Sequence, residues 1–317
     1  MKVILPLLLM VAFGSCTKKN TTPQCTAPAI EFHQPFTDPV WHPGAQIVGF
    51  NHTPLVGFFA NGVPPCEWYM NSVKFNSLGF YLLNRDGTGF KRVTDYRLTA
   101  PSWSPDGEWL AFSLGNQIYK MPFDGQTFDT AQIVQITDSG SNFFPCWTAD
   151  SDTIYFDSNV AAPEGTSFYS VWKMTSDGSR KQMVSRSTDK GDEREPYIGD
   201  DNRIYYVGYA NKQPEIFSMN KDGSEPVQLT FNGKNGNRRT PKVFQNNLFF
   251  LDGGVNSTLI DQFNPKKIVV TGSTFDISRN GEIVYPNGLF KMNDKRWGTL
   301  WIIKHDGSDS IQLTFNH

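Results

Sequence analysis

A unit of four short segments recurs down this chain, and that repetition constrains the fold more than any single motif does. The unit reads Pro-x-aromatic, a tight turn, an apolar strand, a loop, a second strand, Asp-Gly, and a last strand ending in Thr. Its clearest copy starts at Pro101 and Trp103, turns at Ser104-Pro105-Asp106-Gly107, and runs through WLAFS at 109–113 and QIYKM at 117–121. It turns again at Asp124-Gly125 and closes with VQIT at 134–137. Five more copies align with it, the fifth being worn, with Asn264-Pro265 in place of Asp-Gly. The second-turn positions 86, 124, 177, 222, 264 and 306 are spaced 38, 53, 45, 42 and 42 residues apart, the length of a four-stranded propeller blade. The segments are rich in Ile, Val, Tyr, Phe and Trp, with Gly, Asp, Asn and Pro at the breaks, and no amphipathic helix interrupts them. The sequence therefore predicts an all-β chain forming a six-bladed β-propeller of four-stranded antiparallel blades. A closed ring protects the sheet flanks that a solenoid would leave open. Trp41, Trp103 and Trp147 are expected at equivalent places near the ends of inner strands.

Pro-x-Trp-Ser-Pro-Asp-Gly together with Asp-Gly-Ser followed by Gln-Leu-Thr resembles the signature of TolB-like propeller repeats, over about residues 38–315. That resemblance implies the fold and leaves function open, because one scaffold hosts many activities. At the other end of the chain, Lys2 precedes an apolar stretch at 3–13 that is shorter than the roughly 20 residues a membrane-spanning helix needs. It is followed by Gly14, Ser15 and Cys16, which resembles a bacterial lipobox. The resemblance implies a signal peptide at 1–15, a lipid on Cys16, a polar, Pro-rich tether at 16–30 and the propeller at 31–317. Thr17-Lys18-Lys19 brings no acidic residue after the cysteine, which points to outer-membrane retention facing the periplasm. Of the remaining cysteines, Cys25 and Cys66 fall in irregular segments and Cys146 in an inner strand, so Cys25 with Cys66 is the expected disulfide if one forms.

A net charge of -2 without blocks of like charge gives no electrostatic grip on nucleic acid. The repeated Asp-Gly pairs read as hairpin turns rather than calcium ligands, since calcium needs six to eight converging oxygens and these turns stand one per blade. No C-x-x-C, G-x-S-x-G or H-E-x-x-H occurs, none of the five histidines precedes an inner strand, and no cofactor or metal is expected. Carboxylates such as Asp192, Glu193 and Glu195 could pair for glycoside chemistry, as such pairs could in any chain with 31 acidic residues.

Tight turns mark one face of the ring, and long segments at 51–79, 158–170, 186–196, 231–241 and 286–298 read as irregular loops on the other. Asp38, Arg194, Glu195, Arg239 and Asp276, each just before an inner strand, are expected to ring the channel mouth. Trp68, Tyr69 and Trp297, with Phe168 and Tyr169, add aromatic surface suited to sugar or protein contact. Arg194 and Arg239 hold the same repeat position, so their guanidinium forks would suit a carboxylate-bearing peptide or acidic sugar. The alternative is that they pair with Glu195 and Asp276 and hold loops. The reading is a membrane-anchored, non-enzymatic adaptor that recognises a protein or polysaccharide of the cell envelope. The alternatives are a polysaccharide-active enzyme with its site in the channel and a structural scaffold of an envelope assembly.

Overall fold

A computed structural model describes residues 36–53, 78–185, 191–231, 238–269, 272–287 and 299–315, with two further strands at 57–60 and 68–71. Cys16, Cys25, Cys66 and Trp297 lie outside the described residues, and at Trp68 and Tyr69 only the backbone is described.

The repeats form six antiparallel sheets of four strands each, the blades of a six-bladed β-propeller. Strands pair in chain order within every blade, as short hairpin connections dictate. The inner strands are Phe36–Trp41, Thr99–Trp103, Asn142–Trp147, Arg194–Ile198, Arg239–Phe244 and Asp276–Ile277. Most outer strands have only two residues, and the threonine that ends each repeat explains how they hold. Thr94, Thr137, Thr230 and Thr314 are buried, and their hydroxyls accept the N–H groups of Phe80, Ile118, Ile216 and Leu300 in the third strands at 2.8–3.2 Å. Ser185 does the same for Val171 at 3.1 Å. Each clamp satisfies a backbone donor just past the ladder's end.

The acidic column of the repeat makes turns. Asp86, Asp106, Asp124, Asp177, Asp222 and Asp306 each accept the N–H two residues on. The glycines that follow stand at φ values of 79–93°, where a side chain would be strained. These bonds hold the carboxyls below their ordinary range; for Asp177 the Thr175 hydroxyl contributes most, then the Ser179 N–H.

Aromatic side chains of blade 2 share a core with Val40, Phe80 and Leu82 of blade 1. Trp103 stacks on Phe128 at 5.1 Å and meets Phe123 edge-on at 5.0 Å. Blades 1 and 6 take all their strands from opposite ends of the described chain, so side chains close the ring. Phe36, Trp41 and Phe50 share a core with Val284, Leu300 and Leu313, and Arg85 donates through Nε to Glu282 at 2.8 Å.

Two details depart from the sequence expectation. Within 51–79, expected as irregular loop, Gly57–Ala60 pairs antiparallel with Trp68–Asn71. Residues 56–72 fall in a compact unit separate from the propeller. This hairpin lies outside the repeat register, which hid its two β-prone runs flanking Asn61-Gly62 and Pro64-Pro65. The fifth blade turns at residues 260–261 instead of at Asn264-Pro265, which lie inside the outer strand Gln262–Val269. An outermost strand tolerates proline because one edge needs no donor. The Thr258 hydroxyl accepts the Asn264 N–H at 2.8 Å where the pairing slips.

Candidate binding channel

Five inner strands carry a bulge at the residue that precedes their proline. Proline keeps the residue before it out of the right-handed helical region, and Asp38, Ala100, Phe144, Glu195 and Thr240 take φ values of 47–56°. That left-handed conformation costs about 1 kcal/mol at each site. A bulge also removes N–H groups from the ladder, and the neighbouring blade supplies acceptors. Thr274 Oγ1 takes the Asp38 N–H at 3.2 Å, Asp157 takes that of Glu195 at 3.1 Å, and Glu195 takes that of Thr240 at 2.7 Å.

The bulged strands surround a cavity of about 550 Å³ on the ring axis, lined from every blade and continuing to the first residues of the tight turns. The strand registers set one residue per blade at each level. One position past the proline, Val40, Ser102 and Cys146 of blades 1–3 face Tyr197, Lys242 and Asp276 of blades 4–6. At the turns the lining is Pro43, Pro105 and Ala149 in blades 1–3, against Asp200 and Arg279 in blades 4 and 6. At these two levels blades 1–3 bring no charge, whereas blades 4–6 bring Lys242, Asp276, Asp200 and Arg279; the charge that blade 1 adds, Asp38, lies at the bulge.

In the charged half, Lys242 Nζ lies 2.9 Å from Asp276 Oδ1 and 4.9 Å from the centre of the Tyr197 ring. Burial acts to lower the Lys242 pKa, but Asp276 outweighs it and the net shift is upward. Asp276 Oδ2 also accepts the Trp41 N–H at 2.8 Å across the blade 6 to blade 1 junction. Cys146 is a free thiol; burial raises its pKa, and its sulfur accepts the Ile198 N–H at 3.3 Å.

The arginines are engaged. Arg239 Nε donates to Glu195 at 3.0 Å, as the loop-holding alternative expects, although 56% of its side chain stays exposed. Arg194 pairs instead with Asp157 at 3.3 Å, its guanidinium 4.0 Å from the Tyr169 ring centre. Asp157 is fully buried and its second oxygen has no hydrogen-bond partner. Burial pushes this carboxyl up to about 7 against the pull of Arg194. The neighbouring Glu193 carboxyl is also raised, chiefly by burial. Among the described residues no three His, Cys, Asp or Glu side chains converge as a metal site would require.

No protein-family model matches the sequence, and none of the curated proteins does. Among solved structures, TolB from Acinetobacter baumannii superposes with a TM-score of 0.56 at 18% identity, over 72% of this chain and 57% of that one. The fold is the TolB-type propeller. This chain spans little more than half the length of the Acinetobacter protein. A nidogen/laminin complex matches with a TM-score of 0.56 at 13% identity, over 75% of this chain and 90% of that one. An oligogalacturonate lyase from Vibrio parahaemolyticus gives 0.53 at 10% identity, over 90% and 79%. At such identities the likeness describes the fold.

Within this TolB-type ring, Asp38, Glu195 and Asp276 line the cavity, whereas Arg194 and Arg239 do not. Asp276 sits one level deeper than the sequence reading placed it, level with Lys242, because blade 6 has Phe275 where the other inner strands have proline. His42, at a tight turn, accepts the Gly44 N–H at 3.0 Å and meets Trp103 edge-on; burial lowers its pKa. Tyr197, Lys242 and Asp157 escaped the sequence reading. The signal for the first two was available in the column one residue after each proline, where the character changes between blades 3 and 4. Arg238 escaped too, buried beside Glu215 at 2.6 Å and Asp252 at 3.2 Å.

Proposed function

We propose that this chain is an exported binding protein of the cell envelope, which captures a segment of a partner protein in its propeller channel. In this reading residues 1–15 are removed, Cys16 carries a lipid, residues 16–30 form the tether, and the propeller at 31–317 faces the periplasm from the outer membrane. The divided channel wall carries the proposal. A peptide offers both kinds of surface in one ligand: apolar side chains for Val40, Pro43, Pro105 and Ala149, and backbone dipoles or a charge for Lys242 and Asp276. The TolB-type fold is compatible with this role. The fold shared with the Vibrio lyase supports a second reading, an enzyme acting on polysaccharide in the same channel.

The test is capture from native membranes by the intact protein, compared with Lys242→Met/Asp276→Asn, which removes both charges and keeps an acceptor for Trp41. Capture of the partner should fall at least about tenfold, some 1.4 kcal/mol, with the melting temperature little changed. Unaltered capture moves the binding site away from the channel, and release of shortened oligosaccharides from an envelope polymer establishes the enzyme instead. For the anchor, Cys16→Ser should abolish lipid labelling and membrane retention, because the thioether needs that sulfur. Retention without Cys16 sinks the lipoprotein reading.

A further inference from the structure

The hairpin that the chain inserts between the second and third strands of blade 1 has no counterpart in the repeat. Phe58 pairs with Met70 and Ala60 with Trp68, while Phe59 pairs with Tyr69. Since alternate residues share a face, Phe58, Ala60, Trp68 and Met70 belong to one face and Phe59 and Tyr69 to the other. The first face is apolar and aromatic, the second places Phe59 and Tyr69 beside Gly57 and Asn71, and among the described residues no third strand joins the sheet. A lone two-stranded hairpin is marginal in water. From Thr53 to Val73 the sequence carries one charged side chain, Glu67.

Chain geometry narrows the choice of what covers it. Phe36, where the described chain begins, pairs with His52, and His52 pairs with Gly79. The segment arriving from Cys16 and both ends of the excursion that holds the hairpin therefore meet at one end of blade 1. Fewer than 20 residues separate Cys16 from the first strand, a reach of at most about 65 Å. Lys18 and Lys19 beside the anchor, and Lys74 after the hairpin, complement anionic headgroups.

We propose that the hairpin Gly57–Ala60/Trp68–Asn71 rests in the headgroup layer of the bilayer that holds the lipid on Cys16, giving the propeller a second membrane contact. This rests on the lipid-anchor reading above. Strands of four residues span about 13 Å, enough to enter an interface about 5–10 Å deep and far short of the roughly 30 Å hydrocarbon core. The unpaired edges of a two-stranded sheet also need water, which the interface supplies and the core does not. Trp and Tyr, adjacent at 68 and 69, are the residues that favour this layer. Two attachments, one acyl and one aromatic, would hold the chain at the membrane more tightly than the lipid alone.

The test uses mature acylated protein reconstituted in phosphatidylethanolamine–phosphatidylglycerol vesicles, with and without brominated acyl chains. With Trp68 one of eight tryptophans, brominated lipid should quench about one eighth of the emission in the wild type and essentially none in Trp68→Phe. Phe58→Ser/Phe59→Ser, which keeps Trp68, should lower the quenching severalfold. Emission equally insensitive to bromine in wild type and Trp68→Phe overturns the proposal, as does cross-linking of residues 57–60 to a protein in native membranes. Mass spectrometry of the N-terminal peptide reads the anchor separately. An acylated chain without quenching refutes the hairpin contact and keeps the anchor; a chain bearing no lipid that still shows Trp68-dependent quenching by added vesicles does the reverse.

Discussion

Blades 1–3 and blades 4–6 share one backbone plan and differ in what they present to the channel. The first three end their inner strands in Trp41, Trp103 and Trp147, where the second three have Ile198, Val243 and Ile277. One residue earlier, Val40, Ser102 and Cys146 stand against Tyr197, Lys242 and Asp276. The first half is held by ring packing, and its prolines have no N–H to satisfy. Charges in the other half must find partners across blade junctions, and they do so through Asp157 with Arg194, Glu195 with Arg239, and Asp276 with Lys242. Packing against the core and lining of the cavity thus sit in adjacent columns of the same repeat. The column after the proline is free to vary because a side chain there points into the cavity, while its neighbour fixes the distance between blades.

The largest expected effect belongs to the apolar half. Trp103→Ala should cost about 3–5 kcal/mol in denaturant unfolding, since a side chain only 6% exposed leaves a cavity against Phe123 and Phe128. Val243→Ala, which deletes less volume at the equivalent place, should cost distinctly less. Equal losses would erase the difference between the halves. In the charged half, Glu215→Ala leaves the buried Arg238 with Asp252 as its one carboxylate partner and should cost about 3 kcal/mol. Replacing both by Glu215→Leu/Arg238→Met should recover much of that loss, because a buried pair repays little beyond its own desolvation. A double variant as unstable as the single one would show the pair to be a net stabiliser.

A pH-dependent effect is expected at the junction between the halves, where Asp157 of blade 3 meets blade 4. The unfolded chain releases this proton near the ordinary 3.8, while the folded chain keeps it up to about 7. Between these values folding is linked to proton uptake, so stability falls as pH rises, by up to about 1.4 kcal/mol per unit, and levels off above. Asp157→Asn should flatten that slope in melts recorded from pH 4 to pH 8. A slope that survives the substitution assigns the linkage elsewhere.

How much of this was legible in the sequence depended on the range of the interaction. Six blades, their turns and the places of three tryptophans follow from Asp-Gly pairs, β-branched runs and Pro-x-Trp units, whose physics is complete within a few residues. The hairpin of Gly57–Ala60 with Trp68–Asn71 was not legible although its signals are local, because it falls outside the repeat period, which leaves that stretch as a loop. The channel residues Asp38, Glu195 and Asp276 were legible as positions along the inner strands, but their neighbours were not. Asp157 and Arg194 are 37 residues apart, Glu195 and Arg239 44, and Trp41 and Asp276 235. Strand and turn chemistry could therefore determine the blades by itself. Only closing the ring decided which charge meets which, because each partner is delivered by a different blade and the low-polarity junction between blades, absent from the linear chain, sets the strength of their attraction.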